Sequence, residues 1–228
     1  MDERRGDDLW RQLELEGPET DTVWDRLRTS CLMVRQHVHV DAVAATITCG
    51  GLGTTVATDR WAEELEDYQH TLGEGPVPEV VRSGLAVLAP DVRRKRSRWP
   101  VFTGRAAVHG LAAVFTVPLP DTRGNPLGTL TLYRRTTGQL STAELRHTAV
   151  MAGFMAKLVD LDDSLREPVT TRISAAADLL ATRHAMSRED ALVLLRAHAY
   201  VRDRPLHEIA DAVVDEDLWR HSLDDDGH

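Results

Sequence analysis

Apolar residues recur at helical spacing through Trp24, Leu27, Cys31 and Val34, which predicts a helix over 24–37. The pattern then changes. "DAVAATIT" (41–48) reads as a buried strand, "GGLG" as a turn and "TTVATD" (54–59) as the returning strand of a hairpin. "RWAEELEDYQHTLGEG" predicts a short helix ending near Gly73, and Pro76 to Ser83 a second one stopped by Gly84. "LAVLAP" (85–90) predicts a strand closed by Pro90, and "WPVFTGRAAVHG" (99–110) a helix with Pro100 in its first turn. "LAAVFTVPLP" and "LGTLTLYRR" are two strands joined by the turn-rich "DTRGNP". This order predicts an α+β fold: an α/β sandwich with a mainly antiparallel sheet.

From Ser141 the period is helical again. Ser141 or Thr142 caps a helix carrying Leu145, Ala149, Ala152, Ala156 and Val159. A second seam follows through Leu158, Leu161, Leu165, Val169, Ile173, Ala176 and Leu180, in the steps of three and four that a two-helix seam requires. Pro168 interrupts it, costing about 3 kcal/mol in a helix interior unless the helix kinks or restarts there. A long linking helix that pairs with its copy in a homodimer is expected, with packing of its first half on its own sheet as the alternative. Farther on, Ser187 is a natural N-cap with Asp190 in the capping-box position, and Ala191, Leu194, Leu195 and His198 share a face. Asp203 caps the next helix, Pro205 fits its first turn, and Leu206, Ile209, Ala210, Val213 and Val214 form its stripe. Each stripe is too narrow to be stable alone, so three short helices must share one small core.

Composition narrows the function. A chain of 228 residues fits one globular domain with an appendage, or two small domains. The net charge of −9 is the reverse of what a dedicated nucleic-acid binder carries, so any such function must come from a local patch. Residues 1–22 read as a disordered leader, 23–160 as the α/β domain, 161–216 as the linking helix plus helical domain, and 217–228 as an acidic tail. No apolar signal segment or membrane-length apolar run is present, so a cytoplasmic protein with no membrane partner is expected. Cys31 and Cys49 belong to no C-x-x-C pair and read as small hydrophobes. His37 and His39 lie close together without further ligands, so no metal is expected. No G-x-S-x-G, Walker loop or H-E-x-x-H occurs. Neither catalysis nor a cofactor is expected.

The run "RISAAADLLATRHAMSREDALVLLRAHAYVRDRPLHEIADAVV" (172–214) resembles the ANTAR domain, the three-helix RNA-binding module of bacterial antitermination regulators. The matching positions are Ile173, Ala176, Leu180, Arg183, His184, Ser187, Ala191, Leu195, Arg196, Ala199, Leu206, Ile209, Ala210 and Val214. The family commonly has Lys-Gly where this chain has Ala177-Asp178, and Asn where it has Asp203. The resemblance implies binding of a stem-loop RNA leader and control of transcription antitermination. The candidate RNA contacts are Arg172, Arg183, His184, Arg188, Arg196, His198, Arg202 and Arg204, since guanidinium groups grip phosphate in a fork and stack on splayed bases. Tyr200 adds a further stacking surface. The alternative is a dimeric protein-interaction and sensor module that has lost RNA binding.

"YQHTLGEGPVPEVVRSGLAVLAPDV", "RWPVF" and "GLAAVFTVPL" are similar to the GAF domain, a sensing fold, over about residues 22–160. That resemblance implies a signal-responsive unit with an unknown small-molecule ligand. Trp61, Glu74, Trp99 and Phe102 are the candidate ligand contacts, with an ordinary core as the other reading of the three aromatics. Val77 stands where the family often has Cys. "RRKRSR" (93–98) is a basic run in an acidic protein: a second RNA contact, a clasp on the acidic tail, or a solvated loop.

Overall fold

A computed structural model describes residues 22–49, 52–162, 172–202 and 204–225. Helix α1 (Val23–His37) begins at a capping box in which Thr22 and Asp25 satisfy each other's backbone amides. Strands β1 (Ala42–Cys49) and β2 (Leu52–Ala57) form the expected hairpin. Helices α2 (Arg60–Leu72) and α3 (Pro76–Ser83) end on left-handed Gly73 and Gly84. Strand β3 (Val87–Ala89) is shorter than expected. A 3-10 turn (Val92–Lys95), α4 (Pro100–Val108), β4 (Ala113–Pro120) and β5 (Pro126–Arg134) follow. The five strands make one sheet in the order β2-β1-β5-β4-β3, antiparallel at every pairing.

The alternation of side chains along the strands builds two unlike layers. Val43, Ala45, Ile47, Phe115, Leu130 and Leu132 face α1 and α5 (Thr142–Leu161), which cover the sheet with Leu27, Cys31, Val34, Met151, Met155 and Val159. The strand side chains of this layer are apolar, and the polar ones its helices bury, Ser30 and Thr148, donate to the Arg26 and Glu144 carbonyls of their own helices. The opposite face sends Ala42, Ala44, Val114 and Tyr133 toward Leu65, Val80, Trp99 and Phe102 of the α2–α4 side. It also carries buried Thr46, Thr116, Thr129 and Thr131, so a polar stratum lies inside the molecule.

Helix α5 opens on the capping box of Ser141 and Glu144. It ends at Leu161, because Asp162 is extended (φ −91°, ψ 103°), and its buried stripe lies on the sheet. The single helix expected to run on toward Leu180 is therefore interrupted. Leu165, Pro168 and Val169 of the expected seam fall outside the described residues, as does most of the expected leader. No helix among the described residues is long and apolar enough to cross a membrane.

The C-terminal part comprises α6 (Arg172–His184), α7 (Arg188–Val201) and α8 (Leu206–Asp225). They share a core of their own: Ala176, Ala177, Leu180, Ala191, Leu195, Ala199, Leu206, Ile209 and Ala210. Helix α6 stops at left-handed Ala185 (φ 51°), and the Met186 amide reaches back to the Ala181 carbonyl. On α7 the buried stripe is Ala191, Leu195 and Ala199, whereas Leu194 and His198 are exposed, a rotation from the expected face. Small alanines at i and i+8 let α7 approach its neighbours closely along that line. Helix α8 continues into the stretch read as an acidic tail; no Gly or Pro occurs from Leu206 to Asp225 to stop it.

Candidate functional site

The α2–α4 side of the sheet is organised around one buried carboxyl group. Glu66 sits on the face of α2 formed with Ala62, Leu65 and Gln69, all of it buried. Tyr133 donates its hydroxyl to Glu66 Oε1 at 2.7 Å, and Thr46 donates to Oε2 at 2.9 Å. Gln69 Nε2 donates to the Tyr133 oxygen at 2.9 Å, and the Val77 amide donates to Gln69 Oε1 at 2.8 Å. Burial pushes the Glu66 carboxyl up to about 7, against the opposing effect of these hydrogen bonds. A group that titrates near neutrality thus links α2, the central strands and the start of α3.

The "LGEGP" segment joins this network to α4. Gly73 is the left-handed cap of α2, and Gly75 (φ 131°) leaves room for the Gln69 side chain, which a Cβ there would strike. Between them, Glu74 Oε1 accepts from the Val101 and Phe102 amides at 2.9 Å each, closing the α4 N-terminus. Trp99 and Phe102 are buried core side chains, and the Trp99 indole donates to Glu79 Oε2 at 3.1 Å. Trp61 is half-buried: its indole donates to the His109 carbonyl at 2.8 Å and its ring lies 3.9 Å from the Arg135 guanidinium. Among the expected ligand contacts, the aromatics therefore pack the domain and Glu74 serves a helix terminus.

Two other sequence features settle into local structure. His37 stacks on His147 at 4.9 Å, and His39 Nδ1 lies 3.4 Å from Glu144. Among the described residues no group of three or more His, Cys, Asp or Glu comes together as a metal-ligand set. In the basic run, Asp91 accepts from the backbone and guanidinium of Arg93 and lies 3.6 Å from Arg94. Arg98 pairs with Glu79 and its guanidinium lies 5.5 Å from the Trp99 ring centroid. Two nearby acids thus hold half the run, while Arg96 stays exposed.

The candidate RNA contacts divide into three sets. Arg183 and His184 at the end of α6, His198 on α7 and Arg202 after it are exposed. Arg172 pairs with Asp211 and Asp215, Arg188 with Asp178 at 2.8 Å, and Arg204 with Glu208 at 2.8 Å, each with its side chain 48% exposed. Exposed pairs of this kind contribute about 0–1 kcal/mol and exchange readily with another anion. Asp178, the acid that departs from the ANTAR pattern, is thus the partner of a candidate RNA contact, and its neighbour Ala177 is buried in the helical core.

Arg196 is placed differently. Its Nε donates to the His70 carbonyl at 3.1 Å, and its guanidinium rests against Gly73. At the next residue of α2, Thr71 Oγ1 accepts from the Leu206 amide at 3.2 Å. These contacts seat α7 and the start of α8 on the C-terminal end of α2. Burial, and then the charge of Arg196, hold His70 down at about 4, so it is neutral at physiological pH; its buried Nε2 has no hydrogen-bond partner. Sequence reasoning missed the Glu66 network and this seam. The one available signal was an acid and an amide, Glu66 and Gln69, on the apolar face of α2.

No protein-family model matches the chain, and no curated protein matches it in sequence. Solved structures of similar fold include the GAF domain of an Acinetobacter phosphoenolpyruvate-protein phosphotransferase, 15% identical with a TM-score of 0.48 over 68% of this chain and 92% of that one. A GAF domain/HD domain protein from Geobacter sulfurreducens is 16% identical with a TM-score of 0.49 over 64% and 99% of the two chains. The N-acylhomoserine lactone dependent LuxR family transcription factor CepR2 from Burkholderia cenocepacia is 16% identical with a TM-score of 0.51 over 68% and 93%. At such identities the likeness is one of fold.

Proposed function

We propose that this chain is a signal-responsive regulator of transcription antitermination, in which the α/β unit senses a small ligand and the helical unit binds a stem-loop RNA leader. One observation carries the RNA reading. The apolar positions of the ANTAR resemblance (Ala176, Leu180, Ala191, Leu195, Ala199, Leu206, Ile209 and Ala210) are those that close the helical core. That arrangement leaves Arg183, His184, His198 and Arg202 on the surface. An RNA loop presents phosphates and unstacked bases to such groups. The fold shared with a lactone-dependent transcription factor supports the sensory role of the α/β unit. Two copies pair through the outer face of α5, where Val150 and Leu161 are exposed, and the pair acts in the cytoplasm on two hairpins of a leader.

A specific observation favours a second reading, a dimeric interaction module without RNA affinity: Arg172, Arg188 and Arg204 already have carboxylate partners, and Arg196 is bonded to α2. Truncation separates the two. In fluorescence anisotropy with a labelled tandem-hairpin RNA, the full chain binds and a chain ending at Asp162 does not. Equal affinity of the two chains, or no binding by either, removes the RNA reading.

A further inference from the structure

A cleft of about 270 Å³ lies where α2 and β2 meet the helical unit, and neither the RNA reading nor the expected sensor contacts use it. Its walls include Glu63, Asp67 and His70 of α2, Thr55 of β2, Ile173 of α6 and His207 of α8. We infer that this cleft binds an aliphatic diamine of the polyamine class, with its ammonium groups on Glu63 and Asp67 and its methylene chain against Ile173.

The walls select a cation. Among the described residues no Arg or Lys lines the cleft. Asp67 is half-buried and Glu63 exposed, and no described residue donates a hydrogen bond to either carboxylate or forms an ion pair with it. Burial raises the affinity of Asp67 for a proton; the charge of His207 opposes this, and Glu63, Glu64 and Glu208 add to it. A partly desolvated carboxylate among like charges is stabilised by an incoming cation. His70 is a second, independent sign of a missing donor. It is neutral at physiological pH, and its buried Nε2 has no hydrogen-bond partner. In the tautomer that leaves Nε2 bare, it accepts an N–H that reaches it.

Spacing selects an extended cation over a metal ion. Glu63, Asp67 and His70 stand at i, i+4 and i+7 on one side of α2, with about 6 Å of helix axis between the two acids. Among the described residues no three His, Cys, Asp or Glu converge as a metal-ligand set. A chain of four methylenes holds its two ammonium groups at a comparable separation, so one ligand meets both carboxylates. Half-buried Ile173 and buried Leu206 give the methylenes an apolar wall on the side of the helical unit. At roughly 30 Å³ for each water, the cleft has the volume of about nine, ample for such a chain. The bound diamine touches α2, α6 and α8 together, so it tightens the seam that Arg196 and Leu206 form with α2.

The test uses the full chain without RNA, so its outcome is independent of the RNA reading. Isothermal titration with putrescine reads binding directly, with butylamine as the single-charge control and zinc ion as the metal control. Putrescine binds, butylamine binds at least about tenfold more weakly, and Asp67→Asn weakens putrescine binding roughly ten- to a hundredfold. Asp67→Asn removes a half-buried charge among like charges, so its melting temperature is unchanged or raised, which keeps unfolding from imitating the loss. Glu189→Gln removes an equal charge from an exposed position of α7 and leaves the affinity unaltered, which separates the cleft from general attraction to a chain of net charge −9. His207→Lys, at an exposed position, sets a competing cation in the wall and weakens binding as well. Absence of putrescine binding, butylamine of equal affinity, equal losses in Asp67→Asn and Glu189→Gln, or zinc bound through Asp67 in place of putrescine overturns the inference.

Discussion

Gly128→Ala abolishes cooperative folding of the α/β unit or lowers its stability by at least about 4 kcal/mol, a loss at the far end of the range for single substitutions. Gly128 lies in β5 opposite Ile47 of β1 and Leu119 of β4. A Cβ at that position falls inside the van der Waals shell of the Thr46 carbonyl oxygen and comes within 3.0 Å of Ile47 Cα. Both obstacles are backbone atoms of a neighbouring strand, so no rotamer change relieves them. The sheet has helices on both faces, and separating β1 from β5 breaks the ladder at its centre. Total stability of a domain is only about 5–15 kcal/mol, so the strand pair gives way before the glycine site does. Gly104→Ala is the matched control. Gly104 lies inside α4 with open space around its Cα, and a methyl there gains up to about 1 kcal/mol of helix propensity. Chemical denaturation of the three proteins checks both signs, and a Gly128→Ala midpoint equal to that of the native chain contradicts the packing described for β1 and β5.

Glu66→Gln removes a pH dependence from the protein. In the unfolded chain Glu66 ionises near 4.5, whereas burial keeps it protonated up to about 7 in the folded one. Between those values the folded state holds a proton that the unfolded state has released, so stability falls as pH rises from 4.5 to 7 and this contribution is constant above. The interval corresponds to about 3 kcal/mol at 1.36 kcal/mol for each pH unit. A glutamine keeps the network: its oxygen accepts from Tyr133, its amide donates to Thr46, and Thr46 then donates to Thr55 Oγ1, 2.8 Å away. The variant matches the native chain near pH 4.5 and exceeds it by about that amount at pH 8. Other titrating groups act alike in both proteins. Hydrogen bonds from Ser141 and the charge of Arg134, prevailing over burial, hold Glu144 at about 2; its contribution is present above 4.5 and lost as pH falls toward 2. Buried neutral His70 costs stability as pH falls from 6.5 to about 4. Urea melts across this range check the difference curve, and parallel native and variant curves contradict a protonated buried Glu66.

Much of the fold was legible because local and tertiary signals agreed. The spacing of Leu27, Cys31 and Val34, the Ser141–Glu144 capping box and the hairpin about "GGLG" each put the right element in place. The end of α5 was not legible, since Asp162 is neither Gly nor Pro and the apolar seam carries on past it in the sequence. The buried face of α7 was misassigned because Leu194 outweighs Ala199 in a hydrophobicity count, although alanine is what a close helix crossing admits. The Glu66 site was hidden by its neighbours: Glu63, Glu64, Glu66 and Asp67 are adjacent acids on one helix, and only tertiary packing buries one of them completely. "LGEGP" was recognisable as a motif, but its glycines and Glu74 join three helices, which the motif alone does not say. The arginines of 172–206 were countable; the division into exposed, carboxylate-paired and seam-bound groups needed the acids of α6 and α8 and the end of α2 in place.

The claim on which the account turns is that the exposed cations of the helical unit, Arg183 and Arg202 among them, take up RNA phosphate. Anisotropy of a labelled tandem-hairpin RNA, titrated with the native chain and with the Arg183→Ala, Arg202→Ala double variant over a series of salt concentrations, measures this directly. The account gives a native affinity that falls steeply with salt, and a double variant that binds roughly tenfold or more weakly with a shallower salt slope. Equal affinities with equal slopes contradict it.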